Sequence, residues 1–206
     1  MLDLFVSAFV TFFVVIDPPG CAPIFASLTN GYSPTQRRAA ATRAVMVATF
    51  ILLVFALVGE AFLRALSISL DAFRIAGGGM LFLIALEMVF EKRTQRREHR
   101  AQEVKDAPEH EDISIFPMAI PMIAGPGSIA TAMLLTSRRA GPEEIAVVLA
   151  ALGLILILTL AALLAAGPLM RVVGRRVETV VSRLLGVILA ALAVQFVIDG
   201  IKGAFG

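Results

Sequence analysis

The sequence predicts an all-α polytopic membrane protein with six transmembrane helices. They form two inverted three-helix repeats, and helices 1 and 4 are broken. Three observations carry this prediction: long uncharged apolar blocks, charge confined to the connections between them, and helix-breaking motifs that recur at a nearly constant offset. Of the 206 residues, 58% are hydrophobic, against about 45–50% in soluble domains. Ile113 to Ser137 is a run of 25 residues without a charged side chain, and Ile145 to Pro168 a run of 24. About 20 apolar residues cross a bilayer as a helix, so each run is long enough alone.

The blocks place spans at 3–29, 40–63, 71–91, 113–136, 143–167 and 180–203. Met1-Leu-Asp-Leu-Phe5 lacks a basic n-region and a cleavage site, so it reads as the start of span one, not a removed signal. Asp17-Pro18-Pro19-Gly20 interrupts that span with residues that break helices. Ser33-Pro34-Thr35-Gln36 opens span two as N-cap, Pro at N1 and capping-box Gln at N3. Asp71 reads as the N-cap of span three. Gly125-Pro126-Gly127 interrupts span four. Gly141-Pro142-Glu143-Glu144 opens span five with two carboxylates in the first turn, where the helix dipole favours them. Gly77-Gly78-Gly79, Ala161 with Ala165, and Gly186 with Ala190 supply small residues for close helix contacts.

Residues 92–112 form a charged linker between the halves 1–91 and 113–206, and its balanced charges read as solvated. It also holds both histidines, His99 and His110, with no cysteine to suggest a metal site. The first, third and fifth connections carry 13 of the 18 lysines and arginines. The positive-inside rule then puts those connections in the cytoplasm and both termini outside.

The repeat lies in the punctuation. Asp17-Pro18-Pro19-Gly20 resembles Ala124-Gly125-Pro126-Gly127 at an offset of 107, Ser33-Pro34 matches Gly141-Pro142 at 108, and Arg74-Ile-Ala-Gly77 matches Arg183-Leu-Leu-Gly186 at 109. Each half has an odd number of spans, so the second enters the membrane from the opposite side, a plan common among secondary transporters. Irregular backbone at membrane depth survives only inside protein or beside water. Two facing breaks therefore offer helix N-termini to a carboxylate and freed carbonyls to an ammonium. The candidate substrate-binding residues are Asp17, Pro18, Pro19, Gly20, Gly125, Pro126, Gly127, Ser128 and Thr131. Asp17 has three readings: ligand for an ammonium or Na⁺, carrier of a coupling proton, or cap of the half-helix that follows it. Glu87 and Asp199, near span ends, read as snorkelling side chains, and Arg74 and Arg183 as anchors.

Other functions fit poorly. The basic residues sit where topology needs them, and with no Trp and one Tyr there is no stacking platform for nucleic acid. The single cysteine, Cys21, excludes an intrachain disulfide. No nucleotide motif supports ATP coupling, and no intramembrane histidine serves a nucleophile, so no catalytic residue, cofactor or metal is assigned beyond a coupling H⁺ or Na⁺. The partners expected are a small-molecule substrate, the lipid bilayer and, in some assemblies, further copies of the chain. An ion channel and a non-transporting scaffold are the alternatives to a transporter.

Two stretches, DPPGCAPIFASLT at 17–29 and PMAIPMIAGPGSIATAMLL at 117–135, resemble the MarC family of bacterial membrane proteins. The family's I-P-x-I-A-G-P-G is intact from Ile120 to Gly127, and the spacing of the spans fits over essentially the whole chain. The resemblance implies a multi-pass protein of the bacterial inner membrane that transports or exports small neutral amino acids such as alanine, glycine and serine. One departure is specific: Asp17 stands where the family's first motif usually has Asn, and Cys21-Ala22 replaces a polar residue after the glycine.

Overall fold

The computed structural model describes residues 1–106, 112–137 and 141–205, with side chains omitted from 104 to 106 and from 167 to 178. Pro108, Glu109, His110 and Glu111 of the linker lie outside the described residues, as do Arg138 and Arg139. The side chains of Lys105, Arg171, Arg175 and Arg176 also lie outside that description.

The described residues are helical throughout: α1 (Leu2–Ile16), α2 (Pro18–Leu28), α3 (Pro34–Ala65), α4 (Leu70–Val89), α5 (Lys92–Asp106), the irregular segment Ser114–Ile123, α6 (Pro126–Thr136), α7 (Pro142–Leu164) and α8 (Ala166–Phe205). Five apolar lengths suffice to cross a membrane; Ser114–Ile123 with α6, bent by 53°, makes a sixth. Large apolar side chains point outward, Phe50, Leu57, Leu83, Ile157 and Leu184 among them. Such a surface would aggregate in water and suits lipid.

Local chemistry sets the helix starts. Ser33 Oγ accepts from the Gln36 amide at 3.3 Å and Gln36 Oε1 accepts from the Ser33 amide at 2.9 Å, the expected capping box. Gly141 caps α7, with Glu143 and Glu144 in the first turn. The start of α4 differs from expectation: Ser69, not Asp71, is the cap, and its hydroxyl accepts from the Ala72 amide at 3.1 Å. Ser69 lies two residues upstream and has the extended backbone a cap needs. That leaves Asp71 inside the first turn, where it pairs with Arg74 at 2.7 Å.

Small residues set the helix contacts. The buried face of α3 runs Ala41, Ala44, Val45, Ala48, Leu52, Ala56, Gly59, Leu63, a stripe at helical spacing. Thr136 of α6 donates across to the Ala56 carbonyl at 2.8 Å. α4 packs along the C-terminal half of α8, from Met88 at Gly186 to Asp71 at Gly203. A Cβ on Gly78 would lie 2.7 Å from the Ala193 carbonyl oxygen. The packing is paired between halves: α1 and α2 lie on α7 as the 114–123 segment and α6 lie on α3, and α2 meets α8 as α6 meets α4.

Candidate functional site: a cationic cavity between the bent span and the linker helix

The first interruption follows from its prolines. A helical carbonyl accepts from the amide four residues on, and for Val14 and Val15 those residues are Pro18 and Pro19, which have no N–H. Asp17 sits between α1 and α2 in the left-handed region (φ 59°, ψ 65°). Its Oδ1 accepts from the Gly20 amide at 3.1 Å, and its carbonyl accepts from Cys21 at 3.1 Å. The start of α2 is thereby used up: two residues lack an N–H and the next donates to Asp17. An anion finds no free donor there. Of the readings of Asp17, the cap of the following half-helix is the one this geometry matches.

The second interruption is different. From Ser114 to Ile123 the chain makes wide turns, with the Met118 amide bonded to the Ile113 carbonyl and the Ala124 amide to the Ala119 carbonyl. Phe116 and Ile120 are extended, at φ −124° and −123°, and the peptides before Pro117 and Pro121 are cis. Gly125 then caps α6 without any side-chain bond. A Cβ there would lie 2.4 Å from the Pro121 carbonyl oxygen, so the tight turn requires glycine. The amides of Gly127 and Ser128 fall in the first turn, where no intrahelical acceptor exists.

Those amides border a half-open cavity of about 410 Å³, within the range of about 300–1,000 Å³ usual for small-molecule sites. Its walls are the start of α6 (Gly125, Pro126, Gly127, Ser128), the prolines at 117 and 121, Met80 to Glu87 of α4, and four arginines of α5. Ser128 is 2% exposed. Its hydroxyl makes no hydrogen bond to any described residue.

Instead of a solvated connection, α5 folds back at Glu91, whose φ of 60° reverses the chain, and packs on α2 and α4. Arg93 and Arg97, one turn apart, reach the first interruption. Arg93 donates to the orphaned Val15 carbonyl at 2.7 Å, and Arg97 pairs with Asp17 Oδ2 at 3.0 Å, with only 11% and 6% of the two side chains exposed. Burial lowers the pKa of Arg93 to about 10, and the neighbouring Arg97 charge adds to the effect. It stays protonated near neutrality. Arg96 pairs with Glu87, and both side chains lie on the cavity wall. The clue was Asp17 itself: a carboxylate inside a span needs a cation beside it.

Of the expected binding residues, Gly125, Pro126, Gly127 and Ser128 line the cavity. Asp17 lies behind Arg97 and reaches the cavity only through it. Pro18, Pro19 and Gly20 are not among its walls. Thr131, fully buried one turn deeper in α6, does not line it either, and its hydroxyl has no partner among the described residues. Arg183 pairs with Glu91 at 2.5 Å and Gln195 with Asp199 at 2.7 Å, both away from the cavity. No group of metal-ligating side chains occurs among the described residues; His99 lies beside Glu103.

The family model described as MarC family integral membrane protein matches residues 2–205. The chain is 39% identical to UPF0056 membrane protein MJ1677 of Methanocaldococcus jannaschii, over 98% of each chain. It is 35% identical to UPF0056 membrane protein YvbG of Bacillus subtilis, over 100% of this chain and 97% of the relative. It is also 35% identical to UPF0056 inner membrane protein YhgN of Escherichia coli, over 96% and 95%. No solved structure matches the chain. A family match along essentially the whole length, with relatives 35% and 39% identical over nearly all of both chains, places this chain in the MarC family of integral membrane proteins.

Proposed function

We propose that the chain is a secondary transporter of small carboxylate-bearing solutes. The small neutral amino acids alanine, glycine and serine are the class to test first, and an H⁺ or Na⁺ gradient drives the transport. The observation that carries this reading is the start of α6, which has no side-chain cap bond and opens into a cavity lined by guanidinium groups. A carboxylate there accepts from the Gly127 and Ser128 amides and gains from the helix dipole. An ammonium on the same solute competes with Arg96 for Glu87 across the cavity. The paired packing of the two halves supports the inverted repeat on which alternating access commonly rests. The Escherichia coli relative is named an inner membrane protein, which supports a plasma-membrane location. The positive-inside rule turns α5 and the mouth of the cavity toward the cytoplasm, with both termini outside.

The test is counterflow of labelled alanine, glycine and serine in proteoliposomes, with and without Na⁺ and at two pH values. Saturable exchange that is lost in Gly127→Val, a variant that crowds the start of α6, supports the reading. Folded, reconstituted protein that exchanges no carboxylate-bearing solute defeats it.

A further inference from the structure

The charges around the cavity do not cancel. Arg97 is matched by Asp17 and Arg96 by Glu87. Arg93 bonds only to neutral acceptors, the Val15 carbonyl and Met88 Sδ. Arg100, on the cavity wall, forms no ion pair with any described residue. Among the described residues, Asp17 and Glu87 are thus the carboxylates set against four arginines, and two guanidinium charges at the cavity are left without an ion-pair partner, beside the positive end of α6. A zwitterion adds no net charge and would leave both uncompensated. Partly buried charge without a partner is costly, and the cost is relieved when a ligand supplies the opposite sign. Ser128 adds the second observation: a hydroxyl on a nearly inaccessible residue, free of protein partners, on the wall of this cavity.

We infer that this cavity binds a small dianion, phosphate or a short dicarboxylate, between the Gly127–Ser128 amides and hydroxyl on one side and Arg93 and Arg100 on the other. The inference rests on the cavity being the substrate site and names the class of solute it prefers. One anionic group meets the α6 N-terminus, as in other helix-terminus anion sites. The second meets guanidinium donors whose planar fork suits carboxylate and phosphate oxygens. Glu87 remains with Arg96 and is not required for an ammonium. The preference is then for net negative charge over neutral amino acids of similar size.

The test is thermal unfolding of the full-length protein in detergent at fixed ionic strength, titrated with potassium phosphate, potassium succinate, alanine, potassium chloride or phosphatidylglycerol. The proteins compared are wild type, Arg100→Gln, Ser128→Ala and, as a control away from the cavity, Arg38→Gln. Phosphate or succinate raises the Tm saturably in wild type and Arg38→Gln. Loss of one charge-assisted contact weakens the apparent affinity about 10-fold or more in Arg100→Gln, while the ligand-free Tm does not fall and rises if the uncompensated charge is costly. Ser128→Ala weakens it less. Three results overturn the inference: dianions that act no better than chloride, equal responses in Arg100→Gln and Arg38→Gln, or stabilisation only by phosphatidylglycerol. Stabilisation by alanine without any dianion effect sinks this inference and leaves the transport reading standing. Dianion binding in a protein that moves no solute does the reverse.

Discussion

At the scale of single residues, the account turns on Asp17. Two prolines strip the chain of donors at the start of α2, and Asp17 repairs the loss twice, by capping Gly20 and by fixing Arg97. Its two partners call for different replacements. Asn at position 17, the usual residue of the resembling family's motif, keeps the cap and loses only the charge. The freed Arg97 can then turn into the half-open cavity. Arg97→Gln instead leaves a carboxylate that is 4% exposed without its cation, a loss of about 3–5 kcal/mol for a broken buried pair. We therefore expect Arg97→Gln to lower the unfolding midpoint in detergent markedly, Asp17→Asn to lower it less, and Asp17→Asn/Arg97→Gln to recover most of the difference. Strict additivity of the two variants would show that the pair is not coupled. The sequence showed half of this pair. Asp17 stands out as the ionisable group deepest in its span, whereas Arg97 is one of six basic residues in a polar stretch with no apolar period to reveal a buried face.

At the scale of elements, close contact of small residues holds the spans, and the glycines of α4 separate contact from exposure. Gly78→Ala drives a methyl against the Ala193 carbonyl and the Val197 side chain, whereas Gly79 has nothing within 4 Å. Gly78→Ala should cost about 1–3 kcal/mol through overpacking. Gly79→Ala should be neutral or slightly stabilising, because alanine favours helix. Equal midpoints for the two would remove the close α4–α8 contact from the account. The approach to the bent span is held by Asp112, which accepts from the Ser114 amide at 3.0 Å and pairs with Arg43 at 2.5 Å. The Ser114 hydroxyl, then Arg43, hold its carboxyl below the ordinary value of 3.8. Its contribution is present above that value and is lost as pH falls through the lower folded one. Between pH 5 and pH 3 the midpoint of Asp112→Asn should fall less steeply than that of wild type. The span positions, the capping box and the Gly125-Pro126-Gly127 turn were legible because apolar length, Ser-Pro-x-Gln and Gly-Pro-Gly act locally. The cap of α4 was misplaced because Ser69 and Asp71 are both good caps, and backbone geometry two residues upstream decided between them.

At the scale of the whole molecule, two halves of similar punctuation do different work. The first interruption is closed by its own aspartate and by two arginines of α5. The second stays open and faces the cavity. The matched motifs differ at the positions that decide these roles: Pro18, Pro19 and the Asp17 cap take up the donors that Gly127 and Ser128 keep. The linker helix thus packs on α2 and α4 and supplies one wall of the cavity, which no count of its balanced charges could reveal. Removing Arg93 and Arg97 from the topological count still leaves eleven basic residues on the odd connections against five on the even ones, from the 18 in the chain. The orientation proposed for the cavity therefore survives their burial. The central claim is that solute binds at the open start of α6. The most direct test places one cysteine there, Ser128→Cys in a Cys21→Ala background, and follows its modification by a small thiol reagent as solute is added. The account predicts that phosphate, succinate or a transported amino acid slows the reaction in a saturable way, while chloride at equal ionic strength does not. A cysteine at 128 that reacts at the same rate whatever solute is present, in protein that binds or moves that solute, would place the site elsewhere.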